Sequence, residues 1–355
     1  MPQDNLSSAA VVGLDLGDRT THLCALDADR QVIHRQRLST TREQFRKLFS
    51  GHPPLRFVIE AGSQSPWIYA ELSQMGHHVH VADPRRVGLI SKSHRKTDRR
   101  DAETLARMEL GMPELIGEVH HRSLDQQSQL AMLRARSLLV GVRTQCVQHV
   151  RGTLKAFGIR VPSCATTCFH RRVLEVLPAS LEAALRGILE QLKGIAEQIK
   201  DYDRRLKTLA QEEVPTARRL QEVNGVGPLT SLAFVLTLSD PHRFPKSREV
   251  GSWVGLAPRV NASGDKDPQL PISKTGDQYL RTLLVQSAHY MLGPFGQDSD
   301  LRRFGLRLYA RGGKGAKNRA VVAVARKLAV LLHKLWVSNE AYEPLRQSRK
   351  SGLAS

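Results

Sequence analysis

Two short apolar runs in this chain each end on an acid, and a further acid pair opens a helix. Val11-Val12-Gly13-Leu14-Asp15 is the first run and Phe57-Val58-Ile59-Glu60-Ala61-Gly62 the second. Between them the chain turns at Leu16-Gly17, becomes apolar again over 21–26, and does so once more over 31–38. That pattern predicts a three-strand meander with an acid on its first strand. Residues 77–81 predict a fifth strand. Asp98 and Asp101 then start a helix, and their i, i+3 spacing puts both carboxylates on one helical face. Strands alternating with helices over 9–112 make this an α/β domain.

Each acid alone has an ordinary reading. An Asp after a strand serves a turn, Asp98 suits an N-cap, and Asp101 suits a first helical turn. Together, in the order first strand, fourth strand, final helix, Asp15, Glu60, Asp98 and Asp101 have the arrangement of a ribonuclease-H-like sheet with a metal site. Carboxylates gathered in a basic chain hold a divalent cation such as Mg²⁺, with Mn²⁺ as a substitute, and such metals clamp a phosphodiester. The charge agrees. Lys and Arg number 53 against 34 acids, for a net charge of +19 and a pI near 10.3. That excess exceeds what solubility needs and points to nucleic acid.

Composition excludes other classes. A hydrophobic content of 41% supports real cores, so the chain is not disordered. No apolar run approaches the ~20 residues of a membrane span, and residues 1–10 lack a signal pattern. Four cysteines without framework spacing fit a reducing cytoplasm. Cys164, Cys168 and His170 hint at zinc but lack an evident fourth ligand, so they read as structural.

Further along, 120–212 predicts a helical region. Leu181, Leu185, Ile188, Leu192, Ile195, Ile199, Tyr202, Leu206 and Leu209 repeat at heptad spacing. This seam either joins protomers or packs inside the chain against a helix over 124–157. Pro215 marks a boundary, and 215–300 form the next domain. There Gly225-Val226-Gly227 resembles the turn of a helix-hairpin-helix; its glycines would permit positive φ and offer backbone N–H groups to a phosphate. Lys92, Arg95 and Lys96 lead into Asp98 as candidate phosphate contacts. The tail, 301–355, carries Arg311, Lys314 and Lys317 in a basic loop, then an apolar-periodic helix over 320–336. Residues beyond about 342 are expected to fray.

A second motif group follows: Gly255-Leu256-Ala257-Pro258, Ser263-Gly264, Ile272-Ser273-Lys274-Thr275-Gly276 and Leu280-Arg281. With Gly13-Leu14-Asp15, Glu60-Ala61-Gly62 and Lys96-Thr97-Asp98-x-x-Asp101-Ala102, it resembles the insertion-sequence "one-ten" transposases, their "eleven-eleven" subgroup and the related DNA invertases. The resemblance covers roughly 10–112 and 218–295. It implies a RuvC-like DEDD domain, a coiled-coil middle and a mostly α C-terminal transposase domain. It implies a nucleoid-associated bacterial or archaeal recombinase acting on donor and target DNA, directed by a non-coding bridge RNA and working as a dimer or tetramer. By motif position the nucleophile is Ser263, with Ser273 as second choice, forming a covalent phosphoserine. Lys274 and Arg281 are candidates to neutralise the phosphate, or else serve as cap and surface residues. The alternatives are a RuvC-like junction nuclease using water, and a non-catalytic nucleic-acid-binding protein.

Overall fold

The computed structural model describes residues 6–90, 98–259 and 270–348. The chain divides into two compact units, 1–127 and 128–355.

In the first unit, β1 (Val11–Leu16), β2 (Thr20–Leu26) and β3 (Val32–Ser39) form the meander. Helix α1 (Arg42–Phe49) leads to β4 (Arg56–Glu60), then α2 (Ser65–Gln74), β5 (His78–Ala82) and α3 (Pro84–Ile90). α4 (Asp98–Gly111) and α5 (Pro113–Ile116) close the unit. The sheet order is β3-β2-β1-β4-β5, with β1 antiparallel to β2 and parallel to β4. Side chains alternate between faces, so Leu14, Phe57 and Ile59 bury against Phe45 and Phe49 on one side. Val11, Cys24 and Val58 bury on the other, against Ala102, Leu105 and Ala106 of α4. Fully burying one such Phe or Ile contributes about 1.5–3 kcal/mol. α1 starts where Thr41 accepts a hydrogen bond from the Gln44 amide at 3.3 Å, an N-cap.

The second unit is helical. α6 (Leu124–Ala156), α7 (Phe169–Leu174) and α8 (Ala179–Thr208) are followed by a single π turn, Leu209–Glu213. α9 (Pro215–Leu220), α10 (Pro228–Leu238), α11 (Arg248–Trp253), α12 (Gln278–Leu292), α13 (Asp300–Ala310) and α14 (Ala316–Ser338) complete it. The heptad seam lies within one chain. Its Leu181, Leu185 and Leu192, with Leu189 beside them, pack with Val147, Val150 and Leu154 of α6, while Leu206 joins Leu130 and Leu133. Early α8 therefore meets late α6, and the two run antiparallel. Arg136 holds Asp203 at 2.9 Å across them.

α9 and α10, each beginning on a proline, flank the turn that holds Gly225 and Gly227. α10 is buried at every position from Thr230 to Leu238, so it runs through the centre of its core, where α12 and α14 meet it. Within the described residues, 343–348 depart from the expected fraying. Asp300 accepts hydrogen bonds from the Gln347 amide at 2.7 Å, the Ser348 amide at 3.2 Å and the Ser348 hydroxyl at 2.5 Å. Among the described residues, no helix is long and apolar enough to cross a membrane.

Candidate active site

The parallel pairing of β1 and β4 runs Val12 with Phe57, Gly13 with Val58 and Leu14 with Ile59. One more step sets Asp15 beside Glu60. Asp15 also pairs with His22 on β2, and His22 with Arg37 on β3. Partners in register point to the same face, so Arg37, His22, Asp15 and Glu60 form one row across the sheet. The row two residues back, Arg35, Cys24, Gly13, Val58 and His80, faces α4: Arg35 bonds Glu103 at 2.5 Å, and His80 bonds Glu109 at 2.5 Å. The acids therefore share the α4 face.

The direction of α4 brings its acidic end toward them. Glu109 also bonds Arg56, which starts β4, at 2.5 Å. Gly13 lies against Ala102 and Ala106; a Cβ there would stand 2.2 Å from the Ala102 carbonyl oxygen, so only glycine admits this helix. Each strand residue advances about 3.3 Å and each helix residue about 1.5 Å. Two strand residues from Gly13 to Asp15 thus correspond to about four helix residues, back from the Ala102–Ala106 turn to the one holding Asp98 and Asp101. Asp98 begins α4, but its side chain lies outside the described residues. Asp15 and Asp101 are half-buried, and Glu60 is exposed.

These donors suit a hard cation. All are carboxylate oxygens, the ligand type of Mg²⁺ and Mn²⁺, with no thiolate among them. Among the described residues, no three of His, Cys, Asp and Glu already stand in a metal-holding group.

Sequence reasoning missed the bracing behind the row. Gln64 donates from Nε2 to Asp18 Oδ1 at 3.1 Å, and its Oε1 accepts from the Trp67 indole at 2.6 Å. That bond ties the loop after Glu60 to the turn after Asp15. Ser65 is buried; its hydroxyl accepts from the Gly62 amide at 2.9 Å and donates to the Gly62 carbonyl at 2.8 Å. With that single proton used, His121 Nε2, at 2.9 Å, must be the donor to Ser65 Oγ. Burial, reinforced by Arg122, pushes His121 down to about 4, so the ring is neutral at pH 7. His22 was missed as well, although strand alternation from Leu23 would have placed it on the acid's face.

The second motif group builds a loop on a short ladder. Pro258 pairs with Ile272, the Ser273 amide donates to the Ala257 carbonyl at 2.9 Å, and the Lys274 amide to the Gly255 carbonyl at 3.1 Å. Ser263 lies outside the described residues; the ladder holds both flanks of its segment. Gly255 and Gly276 have φ of 77° and 73° and interlock, since a Cβ at either would meet the backbone of the other's neighbour at 2.3 or 2.2 Å. Ser273 is half-buried, with Oγ 3.0 Å from the Thr275 hydroxyl. Arg281 donates from Nη1 to the Val254 and Thr275 carbonyls at 2.9 and 2.8 Å. Lys274 is exposed, with φ of 57°.

The remaining candidates divide. Lys92, Arg95 and Lys96 lie outside the described residues. Gly225 takes φ of 84° as expected, but its α-carbon faces α12, with Met291 Cγ and the Ser287 oxygen 3.1 and 3.2 Å from a Cβ position. Gly227 departs from expectation: it is extended, at φ −93° and ψ −179°, and caps α10. Arg311, Lys314 and Lys317 are exposed around a glycine turn.

Two family models match this chain. The family model "Transposase IS116/IS110/IS902 family" matches residues 217–298, and a DEDD transposase model of the IS110 type matches 12–159. The transposase for insertion sequence element IS1111A of Coxiella burnetii is 30% identical over 346 residues, 95% of this chain and 92% of its own length. A probable family 20 transposase of Pseudomonas aeruginosa is 31% identical over 94% of this chain and 98% of its own. The pilin gene-inverting protein of Moraxella lacunata is 27% identical over 38% of each chain.

Proposed function

The chain belongs to the IS116/IS110/IS902 family of transposases, and on that premise we propose that it cuts and rejoins DNA through a phosphoserine formed on Ser263. Asp15, Glu60, Asp98 and Asp101 hold the divalent metal. The observation that carries the carboxylate half is the register row: it sets Asp15 beside Glu60 on the face where α4 brings up its acidic end.

When bound, Mg²⁺ supplies charge neutralisation at the phosphodiester. This chain's residues do the rest. The acids stand at the ends of two adjacent inner strands and on a helix end, which keeps their geometry set before substrate arrives. Ser263 Oγ forms a bond to phosphorus as the phosphorus–oxygen bond to one sugar breaks, and that sugar leaves as a hydroxyl carrying the proton. A sugar hydroxyl of the exchanged strand then attacks the phosphoserine, restoring the serine. One phosphate ester replaces another at each step, so exchange needs no nucleotide triphosphate. Partner choice falls to a non-coding bridge RNA that pairs with donor and target, and the protein acts as a homo-oligomer because two duplexes must be held at once. The name of the Moraxella relative, a gene-inverting protein, supports recombination rather than plain hydrolysis.

The alternative is a metal-dependent junction nuclease that uses water. The match of residues 217–298 to a transposase model favours strand transfer, since a simple nuclease has no use for that domain. A strand-exchange assay with purified protein, bridge RNA and Mg²⁺ tests the proposal. Ser263→Ala is expected to abolish joining while RNA binding survives, and Asp15→Asn to abolish metal-dependent cleavage. Wild-type joining by Ser263→Ala removes the serine from the mechanism.

A further inference from the structure

α13 and α14 enclose a cleft of about 1680 Å³ in the second unit, walled also by Pro258, Leu270 and the C-terminal segment around Tyr342. Its two helices carry the same pattern. Arg303 and Arg307 on α13 and Arg311 at its C-cap recur every fourth residue, a rise of about 6 Å per helical step. Beside that stripe lie Leu301, Phe304 and Leu308, all half-buried and all lining the cleft. On α14, Arg319, Arg326 and Lys334 flank the half-buried Val322, Val330 and Leu331, again all in the lining.

Most of these cations are uncommitted. Arg303 pairs with Asp298 at 2.5 Å, and Arg319 donates to loop carbonyls at Gly312 and Lys314. Among the described residues, Arg307, Arg311, Arg326 and Lys334 show no ion pair with a carboxylate. The lining also holds Asp300, Glu340 and Glu343, Glu340 being paired with Arg346, and the cations remain in excess, so the low-dielectric walls concentrate a positive potential in the cleft. An ordinary solvated helix face would have its apolar stripe packed inward. Here Leu301, Phe304, Val322 and Leu331 pack partly on the core, with Lys327 4.3 Å over the Phe304 ring, while their remaining surface and that of Leu308 and Val330 lines the cleft beside the charge.

We propose that this cleft seats an unpaired nucleic-acid strand, phosphates along the arginine stripes and base faces on the apolar strip. A duplex offers phosphates but keeps its base faces stacked inside, leaving the apolar strip without a partner. An unpaired strand offers both, on a charged step comparable with the distance between successive phosphates. Pro258 and Leu270 flank the segment that carries Ser263, so the strand runs to the root of that loop. The proposal rests on reading the chain as a nucleic-acid recombinase, and adds which form of nucleic acid this face takes.

Fluorescence anisotropy with labelled single-stranded RNA, single-stranded DNA and duplex of about 12 units, within the site sizes of single-strand binders, tests it. The full-length protein is expected to bind either single strand about ten-fold tighter than duplex. Arg307→Glu with Arg326→Glu should cut single-strand affinity about ten-fold or more and lower the salt slope by about 1.4. Leu308→Ala should weaken single strands and leave duplex binding unchanged. Lys200→Glu, on an exposed position of α8, should change neither. Equal binding of duplex and single strand, or unaltered affinity in the double variant, overturns the proposal. The second outcome leaves the cleft to an acidic protein segment. Should the double variant fail to fold, 4-thiouridine strands photo-crosslinked to the unaltered protein must label peptides of α13 and α14; labels confined elsewhere overturn it. A protein that binds no nucleic acid at all defeats the recombinase reading too, whereas binding that ignores the cleft variants defeats this inference alone.

Discussion

Gln64 has its amide fixed at both ends, by the Trp67 indole and by Asp18, and so clamps the turn after Asp15 to the loop after Glu60. Such outer groups set ligand geometry, and removing one typically weakens metal binding 10–100-fold. Gln64→Ala is expected to weaken Mn²⁺ binding by about ten-fold, read by titration calorimetry, with a Tm close to that of the parent. Unchanged affinity would show that the strand ends hold the acids unaided. His121 gives a pH dependence. Unfolded, it takes a proton near its usual 6.5; folded, not until about 4. Between those values the unfolded state binds more protons, so stability falls as pH drops from 6.5 toward 4. Buried His77 acts in the same sense, and His80 in the opposite one because Glu109 favours its charged form. The loss of Tm from pH 7 to pH 5 should therefore shrink in His121→Asn; an equal loss in both proteins contradicts the assignment. Asp15 and Glu60 were legible in the sequence because each ends an apolar run. Gln64, Ser65 and His121 were not, because their role arises only when two loops distant in sequence meet.

At the scale of elements, the closest fit is α4 under β1. Gly13→Ala forces a methyl group into the Ala102 carbonyl, a clash no rotamer relieves. We expect a loss of several kcal/mol, at the upper end of single-residue effects, seen as a large fall in Tm with weakened metal binding. A Tm within a few degrees of the parent would mean that α4 shifts freely. The strands were readable from alternation, and their bounds moved by about one residue, as with β5 at His78–Ala82 against the predicted 77–81. The heptad seam was readable too, but not its partner. The same 3.5-residue period serves an intermolecular coiled coil and a hairpin within one chain, and only the contacts of α8 with α6 decide between them. The glycines at 225 and 227 looked equivalent in sequence, yet Gly225 turns against α12 while Gly227 caps α10 in an extended conformation.

For the whole molecule, the first unit sets Asp15 and Glu60 side by side on one sheet face, and the second holds both flanks of 260–269 on a glycine-locked ladder. A net charge of +19 attracts polyanions to the chain, but charge alone carries no information about reaction type. The distinction between strand transfer and hydrolysis rests on whether DNA becomes joined to the protein. The direct measurement incubates the protein with bridge RNA, donor-end DNA and Mg²⁺, isolates any covalent protein–DNA product, and maps the modified residue by mass spectrometry. The account predicts an adduct on Ser263 that disappears in Asp15→Asn. Cleaved DNA with no adduct, or an adduct on another residue such as Ser273, would contradict it.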